Sequence, residues 1–125
     1  MTTPPVRIGF LGAGLIATYH SKSLRRSGVT VERAGVFDPD RARAEAFAAA
    51  SGHTVVDSED AVIDGCDAVY VCTWTSEHPR LLGAAVARGR HVFCEKPLAF
   101  DATTAMRMAR AADRAGVVHQ VGLVL

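Results

Sequence analysis

The chain has few of the features that mark proteins for secretion or for membranes. Its three cysteines, Cys66, Cys72 and Cys94, form no CxxC pair, and an odd count is a poor basis for a disulfide framework. The apolar runs are only as long as a strand, and the first residues have neither the charged nor the apolar region of a signal peptide. These absences predict a cytoplasmic protein with no membrane partner.

A strong charge of one sign is also absent. The formal net charge is +1, and no run of basic residues is longer than Arg25-Arg26. Nucleic-acid-binding domains concentrate positive charge on one face, so this balance argues against nucleic acid as the main partner. Apolar residues, in contrast, make up 49% of the 125 positions, which is typical of one globular domain.

Short β-rich runs alternate with helical stretches along the whole chain, which predicts an α/β fold. Six strands and five helices make a doubly wound parallel Rossmann sheet, with the usual strand order 3-2-1-4-5-6, over residues 1–125. A second domain does not fit in this length, so we expect a fragment of a longer protein. The predicted strands are 6–11, 31–37, 53–56, 68–73, 91–94 and 117–125, and the helices are 15–27, 40–51, 58–63, 79–89 and 101–116.

Two local patterns carry further expectations about these helices. Asp38-Pro39 has the chemistry of an N-cap followed by a first helical position, which assigns it to the start of the second helix. In the last helix, the alanines and methionine predict one apolar stripe packed in the core, made of Ala105, Met106, Ala109 and Ala112.

The turn between the first strand and helix has the pattern GxGxx(G/A), running from Gly12-Ala13-Gly14 through Leu15-Ile16 to Ala17. Gly12 permits a tight turn, Gly14 lets the backbone approach a pyrophosphate, and Ala17 lets helix and sheet pack closely. The amides and dipole of the helix N-terminus attract the anion. Because a strand precedes the motif and a helix follows it, we expect a dinucleotide site here rather than glycines that serve only a turn.

An acidic residue, Asp38, ends the second strand 21 residues after Ala17. A carboxylate there accepts hydrogen bonds from the adenosine ribose hydroxyls and repels a 2′-phosphate, which favours NAD over NADP. Arg41 and Arg43 follow closely and are able to reach a 2′-phosphate, so NADP stays open. The competing role for Asp38 is the structural N-cap, and the two roles are compatible.

Lys96 follows the fifth strand, at the edge of the sheet where ligands bind in doubly wound folds. An ammonium there can bond a substrate hydroxyl or carry a proton away as hydride leaves, and Pro97 holds the Lys96 backbone extended. Position alone leaves a solvated surface lysine equally open.

Three other residues have simpler readings. We expect His20, on the same face of the first helix as Ala17, to be a packed or capping histidine. His91 and Cys94 point to opposite faces of a strand, so no metal site is expected, and Cys94 is expected to be a small core residue.

The glycine turn, Asp38, the segment Thr73-Trp74-Thr75-Ser76-Glu77-His78 and Glu95-Lys96-Pro97 together resemble the glucose-fructose oxidoreductase / inositol dehydrogenase family. The resemblance covers essentially the whole chain, and Glu-Lys-Pro after a strand is its most specific part.

The resemblance implies an N-terminal domain that binds NAD or NADP, and an absent C-terminal α/β domain that supplies substrate contacts and usually the oligomer interface. It implies catalysis by Lys96 beside the nicotinamide, with Glu95 and Pro97 at the cofactor and Thr73 and His78 on the loop that borders it. The intact protein would then be an oxidoreductase acting on a sugar or polyol, and the chain alone would be inactive. A homo-oligomer stays open.

The sequence departs from the family at Trp74, where proline is common, and at Thr75, where asparagine is frequent. Trp74 either packs against the cofactor or is a partly buried aromatic beneath the loop. Two other functions stay open at this point. One is a stand-alone dinucleotide-binding or sensing module, and the other is a Rossmann domain for a nucleotide-sugar or S-adenosylmethionine.

Overall fold

A computed structural model describes residues 3–123 as a parallel sheet with helices on both faces. The strands are β1 (Val6–Leu11), β2 (Val31–Phe37), β3 (Thr54–Val55), β4 (Ala68–Val71), β5 (His91–Glu95) and β6 (His119–Gly122). The helices are α1 (Leu15–Arg26), α2 (Arg41–Ser51), α3 (Glu59–Asp64), α4 (His78–Ala87) and α5 (Ala102–Ala115), with a 3-10 turn at Thr75–Glu77.

The strands lie in the order β3-β2-β1-β4-β5-β6, and every neighbouring pair is parallel. This confirms the predicted fold class and strand order. Strand β1 is central: Phe10 pairs with Val36 of β2 on one side and with Tyr70 of β4 on the other. The strand order reverses between β1 and β4, and crevices that bind ligands form at such a switch point.

Two hydrophobic clusters cover the two faces of the sheet. Under α1 and α2, Phe10 contacts the rings of Phe47 and Tyr70, with centroids 5.0 and 4.7 Å away. Under α3, α4 and α5, the fully buried side chains include Leu11, Val71 and Leu81. Because both faces are covered, central strands such as β4 read as continuous apolar runs in the sequence.

Helix α5 buries most of the predicted stripe, but with Met108 in place of Met106. Met106 is 52% exposed, whereas Met108 is 5% and Ala112 1% exposed. The predicted stripe is wrong at Met106, because one step along a helix turns about 100° away from the face that Ala105 shares with Ala112.

The start of α2 also differs from the prediction. Its N-cap is Asp40, whose carboxylate accepts a hydrogen bond from the amide of Arg43, and the helix begins at Arg41. Asp38 is therefore not the N-cap, and Pro39 is not the first helical residue. The carboxylate of Asp38 is instead buried among backbone amides of two different segments, as described below.

The sixth strand is shorter than the predicted 117–125. It ends at Gly122 because its partner β5 ends at Glu95, with which Gly122 pairs. Positions 124–125 lie outside the described residues. Between residues 3 and 123, no helix is both long and apolar enough to cross a membrane, and no group of three or more His, Cys, Asp or Glu side chains is placed to hold a metal ion.

Candidate functional site

A cleft of about 680 Å³ lies at the carboxyl edge of the sheet, at the switch between β1 and β4. The segments after β1, β2 and β4 form its walls, together with the first turns of α3 and α4. Of the residues singled out from the sequence for contact with the cofactor, it brings together six: Gly12, Gly14, Asp38, Arg43, Thr73 and Trp74. The lining side chains include four carboxylates and two guanidinium groups.

The glycine turn has the backbone that its sequence predicts. Gly12 has a φ of +91°, and a Cβ there would lie 2.4 Å from the carbonyl oxygen of Cys72. Its amide donates a hydrogen bond of 2.9 Å to the carbonyl of Phe37, which holds the turn against the end of β2. Only glycine fits at this position.

Gly14 is different because it faces open space. It is the N-cap of α1 with a φ of −84°, and a Cβ there would meet no atom within 4 Å. The helix has neither a side-chain cap nor an acidic residue in its first turn, so amides at its start are available to an anion. The backbone at Gly14 is therefore an open cradle that a phosphate group fits.

The neighbouring residues of the motif lie around this cradle rather than in it. Ala13 and Ala17 are buried, as close packing of α1 on the sheet requires. Leu15 and Ile16, 76% and 41% exposed, do not line the cleft.

Asp38 joins the glycine turn to the segment after β2. One carboxylate oxygen accepts the amide of Ala13 at 2.9 Å, and the other accepts the amide of Asp40 at 2.8 Å. The side chain is only 9% exposed, yet it lines the cleft. Since each carboxylate oxygen has more than one acceptor site, hydroxyl donors in the cleft can still bond to it.

The two arginines near a 2′-phosphate position have different surroundings. The guanidinium of Arg41 contacts Asp57 at 2.9 Å and Glu45 at 3.3 Å, and these bonds, that of Asp57 first, raise its pKa. Arg43 lines the cleft, and among residues 3–123 its guanidinium makes no ion pair. Only Arg43 is thus placed to meet a phosphate there.

Trp74 is 81% exposed although it lines the cleft. It immediately precedes the 3-10 turn, and the hydroxyl of Thr73 donates to its carbonyl at 3.3 Å. The ring is therefore not buried beneath the loop. This excludes the interpretation of Trp74 as a partly buried aromatic. An indole so exposed beside a cleft is available to cover a ligand.

His78 is buried and outside the cleft, with 1% of its surface exposed. Its Nδ1 lies 2.9 Å from the carbonyl of Pro97, and its Nε2 lies 3.2 Å from the carbonyl of Thr73. The imidazole thereby joins the loop after β4 to the loop after β5. The structure places His78 as a link between two candidate loops rather than as a wall of the cleft.

Glu95, Lys96 and Pro97 lie at the carboxyl end of β5, next to β4 but outside the cleft lining. Lys96 and Pro97 are exposed and are joined by a cis peptide bond. Glu95 is 8% exposed, and its carboxylate accepts the amide of Lys96 at 3.1 Å and contacts Nε2 of His20 at 2.5 Å. The buried carboxylate of Glu95 thus fixes the backbone amide of Lys96.

His20 is a packed histidine, as predicted. Its ring lies 4.7 Å from that of Phe93 and 5.4 Å from that of Tyr70, between α1 and the strands. Cys94 is a core residue, also as predicted: it is 1% exposed, and burial raises the pKa of its thiol to about 12. A thiol with that pKa stays protonated near neutral pH.

Sequence reasoning missed a charged cluster at the rim of the cleft. Arg80 of α4 bonds to both carboxylate oxygens of Glu59 at 3.0 Å and, through Nε, to Glu77 at 2.9 Å. The hydrogen bonds with Glu59, then those with Glu77, raise the pKa of Arg80 above its ordinary value. The spacing of Glu77 and Arg80 is a sequence signal for half of this cluster, whereas Glu59 comes from another helix.

A glycine turn at the start of α1, an acidic residue at the end of β2 and a cleft at the switch point define a dinucleotide-binding Rossmann domain. Comparison with known protein families agrees: residues 6–123 match the Gfo/Idh/MocA model, described as an oxidoreductase family with an NAD-binding Rossmann fold. The chain belongs to this family, and it is the NAD-binding Rossmann domain.

Individual relatives share this domain. An inositol 2-dehydrogenase from Cereibacter sphaeroides is 40% identical over 113 residues, which cover 89% of this chain and 34% of that protein. The WlbA dehydrogenase from Bordetella pertussis, solved with NADH and UDP-GlcNAcA, has a TM-score of 0.86 at 29% identity. A biliverdin reductase from Synechocystis, solved with biliverdin and NADP+, has a TM-score of 0.86 at 26% identity.

The matches to the two solved structures each cover 94% of this chain, but 37% of WlbA and 38% of the reductase. The chain therefore spans little more than a third of the length of these relatives. The shared part is the NAD-binding Rossmann domain.

Proposed function

We propose that this chain is the NAD-binding half of an oxidoreductase that transfers hydride between nicotinamide and a hydroxyl carbon of a sugar, polyol or related substrate. The observation that carries the proposal is the cleft itself, which joins an open cradle at Gly14 to the carboxylate of Asp38. When bound, the nicotinamide ring supplies the hydride chemistry, and the residues of the chain bind and orient the cofactor.

The pyrophosphate would lie against Gly12 and Gly14, where the backbone is bare and the amides of α1 are open. Asp38 would accept the ribose hydroxyls. Its position is set by the amides of Ala13 and Asp40, so the carboxylate is preorganised before a ligand arrives. Trp74 would cover the ligand from the opposite wall.

The charges in the cleft favour NAD over NADP. Four carboxylates and two guanidiniums give the lining a net charge of −2, and one guanidinium, that of Arg80, is already held by Glu59 and Glu77. A 2′-phosphate would have to approach Asp38 and Asp40, with Arg43 as its main counter-charge. We therefore propose NAD as the preferred cofactor and a measurable but weaker affinity for NADP.

Lys96 is the proposed catalytic residue, as the group that holds or moves a proton at the substrate hydroxyl. Its loop is supported at two points: Glu95 accepts its amide, and His78 bonds to the carbonyl of Pro97. The link from His78 to Thr73 ties this loop to the cleft wall. We propose that the two histidine contacts position Lys96 relative to the cofactor.

The substrate class is proposed from the relatives. The Cereibacter protein is an inositol 2-dehydrogenase, and WlbA was solved with a nucleotide sugar, so hydroxylated carbon rings recur among them. Because this chain spans about a third of their length, we assign substrate selection to residues outside it. A homo-oligomer of the intact protein belongs to the same proposal.

The test is a titration of wild type and Asp38→Ala with NADH and with NADPH. We expect NADH affinity to fall about tenfold or more, because two charge-assisted hydrogen bonds are lost, while NADPH affinity falls less or rises. Asp113→Ala is the control, since it removes an exposed carboxylate outside the cleft. Unchanged NADH affinity in Asp38→Ala would contradict the ribose contact.

A further inference from the structure

We propose that Arg80, held flat by Glu59 and Glu77, is the wall on which the adenine ring of the dinucleotide stacks. The inference rests on the proposed function, since it assumes that the cleft binds a dinucleotide. It assigns a base-recognition role to three residues on α3, the 3-10 turn and α4.

The first support is the way in which the guanidinium is held. Four of its five N–H groups are engaged: Nη1 and one of Nη2 with Glu59, and Nε and the other of Nη2 with Glu77. All four bonds lie at the edge of the planar group, so its orientation is determined by carboxylates from two directions. A cation with so few free donors at its edge is poorly suited to bind a phosphate.

The second support is the surface that remains. The Arg80 side chain is 58% exposed even though most of its polar edge is bonded, and it lines the cleft. Since the two carboxylates cover the edge of the guanidinium, we infer that the exposed part includes its flat face. Such faces stack on π systems, and every nucleobase offers one.

The third support is the position of the cluster along the cleft. Helix α4 packs against β5 and β4, but the Arg80 side chain reaches from it to Glu59 at the start of α3, which packs against β2 and β1. The guanidinium therefore lies toward the β2 side. Asp38 ends β2 and is the proposed ribose contact, whereas Lys96 follows β5 on the other side. A dinucleotide with its pyrophosphate at Gly14 and its adenosine ribose at Asp38 thus has its base, and not its nicotinamide, nearest to Arg80.

The charge of the cluster supports base recognition as well. One guanidinium and two carboxylates leave a net charge of −1 at the rim, which attracts no further anion. Adenine is uncharged, so it can lie against this wall without an electrostatic penalty. The exocyclic amino group of adenine would in addition find carboxylate oxygens nearby.

The decisive variant is Arg80→Lys, because it keeps the charge and can keep ion pairs but removes the flat face. The chain offers a matched control in Arg88→Lys. Arg88 also joins α4 to α3, through Asp60 and Asp64 at 3.0 Å each, but it does not line the cleft. Unfolding in urea checks that both variants fold.

The experiment measures affinity for NADH, for ADP-ribose and for reduced nicotinamide mononucleotide, which lacks the adenosine half. We expect Arg80→Lys to weaken NADH and ADP-ribose about three- to thirtyfold, the range for lost stacking of a cation on a ring. We expect its affinity for the mononucleotide to equal that of wild type, and Arg88→Lys to bind all three ligands as wild type does.

Two results would overturn the inference while leaving the proposed function in place. One is an Arg80→Lys variant that binds ADP-ribose as tightly as wild type, and the other is an equal loss for the mononucleotide. Failure of the wild-type chain to bind NADH or ADP-ribose at all would instead overturn the proposed function, and this inference with it.

Discussion

The two glycines of the turn after β1 differ in what each can tolerate. We expect Gly12→Ala to lower the free energy of unfolding by about 2 kcal/mol or more. The backbone at this position has a positive φ, and a Cβ would lie 2.4 Å from the carbonyl oxygen of Cys72. We expect the free energy of unfolding of Gly14→Ala to lie within about 1 kcal/mol of that of wild type. We expect this variant to bind NADH more weakly, because its methyl group occupies the pyrophosphate cradle.

Urea unfolding and NADH titration of the two variants test this contrast. Each variant serves as the control for the other. The new methyl group meets a protein atom in Gly12→Ala, whereas in Gly14→Ala it occupies space proposed for the ligand. A stable Gly12→Ala, or a Gly14→Ala with the NADH affinity of wild type, would contradict these roles.

At the same scale, Asp38 shows what the sequence could and could not predict. Its place at the end of β2 follows from the spacing after the glycine motif, and the structure brings it to the cleft. The cap role was assigned to the wrong residue, because Asp38 and Asp40 are both acidic and both near the start of α2. The deciding interaction is the bond from the Ala13 amide to Asp38, across 25 positions of sequence, which no local pattern reveals.

At the scale of elements, Arg7 and Asp67 join β1 to the start of β4. The Asp67 carboxylate accepts the Arg7 amide at 2.9 Å and two bonds from its guanidinium, and these hydrogen bonds, the side-chain one first, lower the pKa of Asp67 to about 2. A carboxyl whose pKa is lowered by folding stabilises the fold when the pH is above its pKa in the unfolded chain, about 3.9. This stabilisation is lost as the pH falls toward 2.

We therefore expect Asp67→Asn to unfold at lower urea than wild type near neutral pH, and the difference to shrink as the pH falls from about 4 toward 2. Both side chains are about 40% exposed, so the effect is modest. Asp57→Asn, at a side chain 92% exposed, is the control and should differ little from wild type at any pH. A gap between Asp67→Asn and wild type that grows in acid would contradict the assignment.

Elements also show where sequence reasoning stops. The periodicity of α5 predicts a helix and its cap at Asp101, and both are present, but it misplaces Met106 because several alanines allow more than one apolar face. The Arg80 cluster depends on α3 and α4 lying side by side, so Glu59 and Arg80 meet across 21 positions. The contact of His78 with Pro97 spans 19 positions, whereas its contact with Thr73 spans only five.

At the scale of the whole molecule, strand order and cleft follow from alternation of short strands with helices. The glycine turn, Asp38 and Trp74 are all walls of that cleft. The family is shown by the match over residues 6–123, whereas the proposed role of Lys96 rests on the resemblance of Glu95-Lys96-Pro97. Lys96 lies beside the cleft rather than in its lining.

The most direct test of the central claim uses the only tryptophan in the sequence, Trp74, which lines the cleft and is 81% exposed. Tryptophan emission overlaps the absorption of reduced nicotinamide, so the measurement is the fluorescence of the chain during titration with NADH. If the cleft binds the dinucleotide, emission falls to a plateau and ADP-ribose reverses the fall. Emission that does not respond to NADH, or a loss that ADP-ribose leaves unchanged, would contradict the account.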